Sequence, residues 1–190
     1  MKKMLLVATA FAGLPSVAIA DNEGGIYATI QPSGFGVELE GGNTAGHSAI
    51  GARLGYNINK YFGVESELNY VYSSGEYDFR SSNFNYYDVS AIDMNYNAGA
   101  FVVGKIPFNK HFEIFGRAGY TTTDWGADTY STCNGFSCQE FSLDSDRFAA
   151  GLGLQAFFGS KAQHGLRVDL TGYEGDEEMA QFSLGYSFRK

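Results

Sequence analysis

The sequence predicts an all-β chain, an eight-stranded antiparallel up-and-down barrel. Three observations predict it. Apolar residues recur at every second position over several segments, charged residues keep to the opposite parity, and the connections alternate in length. A period of two belongs to a strand with two unlike faces.

The first strand, about 24–38, sets Ile26, Ala28 and Ile30 on the apolar face. Pro32 and several glycines interrupt it, which makes it the least regular of the eight. The second and third strands form one hairpin over 48–72. Ile50, Ala52, Leu54 and Tyr56 lead to a turn at Asn59, and Phe62, Val64, Leu68 and Tyr70 lead away from it. The fourth, 92–106, presents Met94, Tyr96, Ala98, Ala100 and Val102. The fifth, 111–121, presents Phe112, Ile114, Ala118 and Tyr120. The sixth, 147–158, presents Phe148, Ala150, Leu152, Leu154 and Ala156. The seventh presents Leu166, Val168 and Leu170, and the eighth Ala180, Phe182, Leu184, Tyr186 and Phe188.

The opposite face carries Arg53, Glu65, Glu67, Asp93, Asn95, Asn97, Lys105, Glu113, Arg117, Arg147, Arg167 and Asp169, interleaved with glycine. Centring the hairpins on Asn59 and Asn109 sets Arg53 opposite Glu65 and Lys105 opposite Glu113. Opposite charges at cross-strand distance interact. Arg53, Glu65, Glu67, Lys105, Glu113, Arg117, Arg167 and Asp169 are therefore expected to form ion pairs inside the barrel.

The connections at 57–60, 107–110 and 159–163 are short, whereas 73–91 and 122–146 are long. Each short turn carries one lysine (Lys60, Lys110, Lys161), and the long-loop rim is acidic. Aromatic residues flank the apolar band at both ends. Tyr56, Phe62, Phe108, Phe112, Tyr186 and Phe188 fall near the short turns; Tyr70, Tyr72, Tyr120, Trp125 and Phe148 fall near the long loops. Aromatic girdles, short turns at one rim and long loops at the other describe a transmembrane β-barrel with periplasmic turns and extracellular loops. The apolar face then meets lipid and the charged face fills the interior.

Residues 1–20 read as a signal peptide ahead of a barrel domain at 21–190. Lys2 and Lys3 precede an apolar stretch, and Ala18-Ile19-Ala20 supplies a small-residue cleavage site before Asp21. The formal net charge of −8 leaves little to neutralise phosphates along a nucleic acid, so no nucleic-acid partner is expected. Cys133 and Cys138, spaced around Asn-Gly in an exported chain, read as a disulfide at a loop tip. No metal or cofactor site is expected, because no further ligands stand at suitable spacing.

The segments Gly51-Ala-Arg-Leu-Gly-Tyr, Phe62-Gly-Val-Glu-Ser-Glu-Leu, Phe115-Gly-Arg-Ala-Gly-Tyr and Phe182-Ser-Leu-Gly-Tyr-Ser-Phe resemble the small outer-membrane β-barrel family. That family includes the OmpA transmembrane domain, the OmpX and Ail type, and the neisserial opacity proteins. The resemblance implies residence in a Gram-negative outer membrane, contact with its lipid and lipopolysaccharide, and insertion by the barrel-assembly machinery. It also implies a final strand ending on an aromatic residue, and here Arg189 and Lys190 follow Phe188.

An eight-stranded barrel is just wide enough for side chains to fill it. The expected role is therefore structural or surface-interacting, adhesin- or opacity-like, rather than enzymatic. Phe79, Phe84, Tyr86, Tyr87, Tyr130 and Phe136 in the long loops are the candidate contacts for a host or other extracellular protein. The rival readings are a narrow porin-like channel and a lipid A-modifying enzyme. The enzyme would need a nucleophile and base at a rim, for which His47-Ser48 is the nearest approach.

Overall fold

The computed structural model describes residues 24–39, 43–74, 93–126, 129–133, 138–142, 145–175 and 178–190. Among these residues ten strands are formed: β1 (Gly25–Leu39), β2 (Asn43–Asn57), β3 (Phe62–Ser74), β4 (Met94–Asn109), β5 (Phe112–Trp125), β6 (Thr129–Cys133), β7 (Cys138–Ser142), β8 (Asp146–Phe158), β9 (His164–Tyr173) and β10 (Glu178–Arg189). Eight of them close a barrel in the order β1-β10-β9-β8-β5-β4-β3-β2, with all neighbours antiparallel. The other two, β6 and β7, pair with each other inside the 122–146 connection, which the periodicity reads as loop.

The strand faces follow from parity. Along the body of every barrel strand the odd-numbered residues turn inward, from Tyr27 and Phe35 on β1 to Gln181 and Ser187 on β10, with Ser73, Asn95 and Asn109 exposed near strand ends and bulges. The even-numbered apolar residues stay exposed, for example Ile30, Leu54, Leu68, Val102, Leu170 and Phe182, and Leu152 is 72% exposed. A soluble barrel would bury this stripe. Here the buried set holds Arg53, Arg117, Arg147 and Arg167 instead. Pro32 is accommodated within β1: its pairing to β2 is unbroken, and the ladder to β10 skips Gln31 and Pro32, as an absent N–H donor requires.

Four details depart from the sequence reading. The β2–β3 register runs two residues beyond the expected one, so Arg53 faces Glu67 and Gly55 faces Glu65. The β4–β5 register is displaced in the same sense, with Lys105 facing Phe115 and Glu113 facing Pro107. Both displacements have one cause. Asn59 Oδ1 accepts the N–H groups of Tyr61 and Phe62, and Asn109 Oδ1 accepts that of His111. Each asparagine opens its turn rather than centring it, the habit of a side chain that mimics a backbone acceptor.

The remaining two departures lie near the outer rim. A register shift between Met94 and Tyr96 turns Met94 inward and leaves Asn95 exposed, its Nδ2 donating to Asp124 Oδ2 at 3.0 Å. A bulge of this kind reverses the facing of every residue beyond it. Trp125 lies inside the barrel and not in the lipid-facing girdle, because its odd position carries it inward.

Candidate functional site

The interior divides into two zones. At mid-barrel stand three guanidinium groups and three carboxylates, all buried: Arg53, Arg117, Arg167, Glu65, Glu67 and Asp169. They come from β2, β5, β9 and β3, each delivered inward by strand alternation. Arg53 grips two carboxylates. Its Nε donates to Glu67 Oε2 at 2.9 Å, while Nη1 and Nη2 donate to Asp169 at 2.6 and 2.9 Å. Arg167 pairs with both oxygens of Glu65 and also reaches Asp169 Oδ2 at 3.3 Å. Arg117 Nη1 lies 2.5 Å from Glu67 Oε2 and 3.6 Å from Glu65 Oε2.

Neutral partners complete the cluster. Tyr27 donates to Glu65 at 2.6 Å, and Asn69 and Gln181 donate to Glu67 Oε1 at 2.7 and 2.9 Å. Two of the guanidinium planes rest on inward-facing rings, Arg117 over Phe101 and Arg167 over Phe115, each 3.9 Å from the centroid. Charges removed from water need both a counter-charge and hydrogen bonds. The cluster supplies both to Arg53 and Arg167, whereas Arg117 is held by ion pairs to Glu67 and Glu65 and by the Phe101 ring without a hydrogen bond.

Lys105 and Glu113 form a separate pair toward the short turns, 3.6 Å apart, despite not facing each other in the ladder. All eight residues named from the sequence as interior charges are thus inward, in different pairings from those expected. The direct contact of Arg53 is with Glu67 and Asp169, whereas Glu65 belongs to Arg167, Arg117 and Tyr27.

The outer end of the interior is mainly apolar, with the buried Arg147 guanidinium 5.9 Å from the centroid of the Trp125 ring. Phe35, Val37, Ala45, Ala49, Val71, Met94, Trp125, Ala149, Tyr173 and Met179 form one buried cluster. Sequence reading missed this layer because it treated the inward face as polar. The signal was present, since all of these but Met94 occupy odd positions.

Room for these rings is made by glycine. A Cβ on Gly55 would stand 2.1 Å from the Tyr27 ring, and one on Gly153 would stand 2.3 Å from Phe115.

His47 sits in the outer zone, edge-on to Trp125 with centroids 6.5 Å apart, and neither ring nitrogen has a hydrogen-bond partner. It faces the interior while Ser48, the next residue on the strand, faces the other way. His111 Nδ1 meets Phe157 O at 2.9 Å, and His164 Nδ1 meets the Tyr186 hydroxyl at 2.6 Å. No group of acidic, histidine or cysteine side chains suited to a metal occurs among the described residues.

The loop contacts Phe79, Phe84, Tyr86, Tyr87 and Phe136 lie outside the described residues, as does the side chain of Tyr130. The Cys133 and Cys138 side chains lie outside them too, but the backbone register sets these residues directly opposite each other at the tip of β6–β7.

The fold has clear counterparts. Ail, the attachment invasion locus protein of Yersinia pestis, aligns with a TM-score of 0.56 at 17% identity, over 88% of this chain and 99% of that one. Ail in a phospholipid bilayer nanodisc gives 0.52 at 16%, over 88% and 100%. Neisserial surface protein A (NspA) gives 0.50 at 12%, over 86% and 96%. Comparison with curated proteins gives no match. The sequence itself matches the family described as outer membrane protein beta-barrel domain over residues 4–189. An inside-out parity, a closed eight-stranded barrel and a family match along almost the whole chain agree: the protein belongs to the outer-membrane β-barrel family.

Proposed function

We propose that this protein is a filled, non-conducting outer-membrane barrel whose specific work, structural or adhesin-like, is done by its extracellular loops. One observation carries the reading: the interior is filled from mid-barrel to the long-loop end, by a charge-balanced cluster and then by a mainly apolar layer that also holds Arg147. Neither zone suits a continuous aqueous path, since an ion would have to displace paired charges and then cross a layer packed with large side chains. The divergence of His47 and Ser48 onto opposite faces argues against a nucleophile–base pair there, and so supports a non-enzymatic role.

The reading extends to processing and partners. Cleavage follows Ala20, the barrel-assembly machinery inserts the chain, and the even-numbered stripe contacts membrane lipid and lipopolysaccharide. Cys133 and Cys138 form a disulfide that pins a two-stranded ribbon, an element marginally stable alone. Alkylation before and after reduction tests this, and thiols reactive without reductant would count against it.

The central test uses purified, folded protein in planar bilayers. No discrete conductance steps are expected. Loop shortening within 75–91 or 127–144 is expected to abolish binding to host cells or extracellular matrix while leaving heat-modifiable mobility intact. Reproducible channels would overturn the filled-barrel reading, and altered lipid A on expression would overturn the non-enzymatic one.

A further inference from the structure

Each short turn carries a lysine that neither interior zone uses, Lys60, Lys110 and Lys161. The fold gathers the three turns around a concave mouth of about 310 Å3, lined also by Lys105, Arg189 and Lys190. Among the described residues Glu113 is the one carboxylate side chain lining it, and Lys105 already answers that charge at 3.6 Å. Lys105 Nζ also donates to Asn57 Oδ1 at 2.6 Å.

Arg189 has a different part. It lies over the Phe157 ring, donates through Nε to Ala162 O at 2.8 Å and through Nη2 to Lys110 O at 3.1 Å. It thereby ties the β4–β5 turn to the β8–β9 turn and makes one wall of the mouth. Lys60, Lys110, Lys161 and Lys190 supply the rest of the positive charge, and no carboxylate side chain among the described residues pairs with them at this mouth. Uncharged donors stand beside them: the Oδ1 atoms of Asn59 and Asn109 serve their turns, which leaves the Nδ2 groups to donate at the same mouth.

We propose that the short-turn mouth binds a soluble, multiply charged anion bearing phosphate groups, held by Lys60, Lys110, Lys161 and Lys190. Like charges converging on a concave surface focus their field into it and raise the local concentration of counter-ions. Lysine meets phosphate as a point charge, which suits four flexible cations around one ligand. A phosphate could also come from a lipid headgroup. The mouth opens inside the ring of strands, among the inward residues Asn57, Lys105 and Glu113 rather than on the lipid-facing wall. That placement favours the soluble source.

The test is calorimetric titration of tripolyphosphate into the folded protein in zwitterionic micelles. Saturable binding that weakens with added salt is expected. The Lys60→Gln/Lys110→Gln/Lys161→Gln variant is expected to bind about tenfold more weakly or worse, with folding verified by heat-modifiable mobility. Should that variant fail to fold, each single Lys→Gln change is expected to weaken binding about two- to threefold.

Glu38→Gln/Glu178→Gln removes two facing carboxylates at the opposite rim and is expected to leave the affinity unchanged. Unaltered affinity in the lysine variants, or an equal gain from the far-rim variant, overturns the site. In phosphatidylcholine nanodiscs, adding phosphatidylglycerol should leave binding in place. Loss of binding there would transfer the mouth to headgroup phosphates and overturn the soluble-anion assignment.

Discussion

Arg53 joins the mid-barrel cluster together, because one guanidinium holds carboxylates from β3 and β9 at once. Removing it leaves Glu67 and Asp169 buried with a counter-charge missing. Arg53→Ala should therefore cost about 3–5 kcal/mol of folding stability, read from urea titration of folding in detergent or lipid vesicles. Glu67→Ala should cost a similar amount, and the double variant less than the sum, because the second change removes a charge already orphaned. The Arg53/Glu65 cycle should couple more weakly, since Glu65 is held by Arg167, Arg117 and Tyr27. Equal coupling in both cycles would contradict the pairing. Gly153→Ala probes the space between charges and rings: its Cβ would meet the Phe115 ring and also Val168 O at 2.7 Å. Overpacking of this kind should cost about 1–3 kcal/mol, read by the same titration. That these residues point inward was legible from parity alone. Which acid meets which base was not, because side chains longer than the strand spacing choose partners across the lumen rather than along one ladder.

Hairpin geometry decides the interior register, and two asparagines decide the hairpins. Asn59→Ala removes the acceptor for two turn N–H groups and should destabilise the barrel by about 1 kcal/mol, with the urea midpoint as the readout. The lipid-facing stripe is tested on β8, where Leu152 is fully committed to the exterior. Leu152→Arg should cost about 2–4 kcal/mol in a bilayer, whereas a soluble barrel with this residue on its surface would tolerate it. Element identity was highly legible: all eight barrel strands follow from alternation, even β1 with Pro32 inside it. Three features were not. The β6–β7 ribbon has only five residues per strand, too few for a periodic signal. The bulge at Asn95 reverses parity without any composition cue. Trp125 was grouped with the girdle by its closeness to the rim, although its odd number already sent it inward.

For the molecule as a whole, charge and polarity are sorted along the barrel axis, from a cationic mouth at the short turns, through a neutral ion cluster, to a mainly apolar layer beneath the long loops in which Arg147 lies over Trp125. Under the proposed filled-barrel reading, silent planar bilayers are the expected electrical signature of this sequence of zones. Family and fold were legible because alternation and rim aromatics report what the barrel must satisfy in lipid. The layering inside was less so, because apolar and charged residues share the inward parity and only position along the strand separates them. The pairing of β1 with β10 has one more consequence. It brings Tyr27 against Arg189 and Glu38 against Glu178, so the first barrel strand waits for the last one to pair with it. A chain arrested before Glu178 would present the raw borders of β1 and β9 to hydrocarbon, where unpaired backbone groups are not tolerated. A partial ring therefore has no stable place in hydrocarbon until β10 closes it.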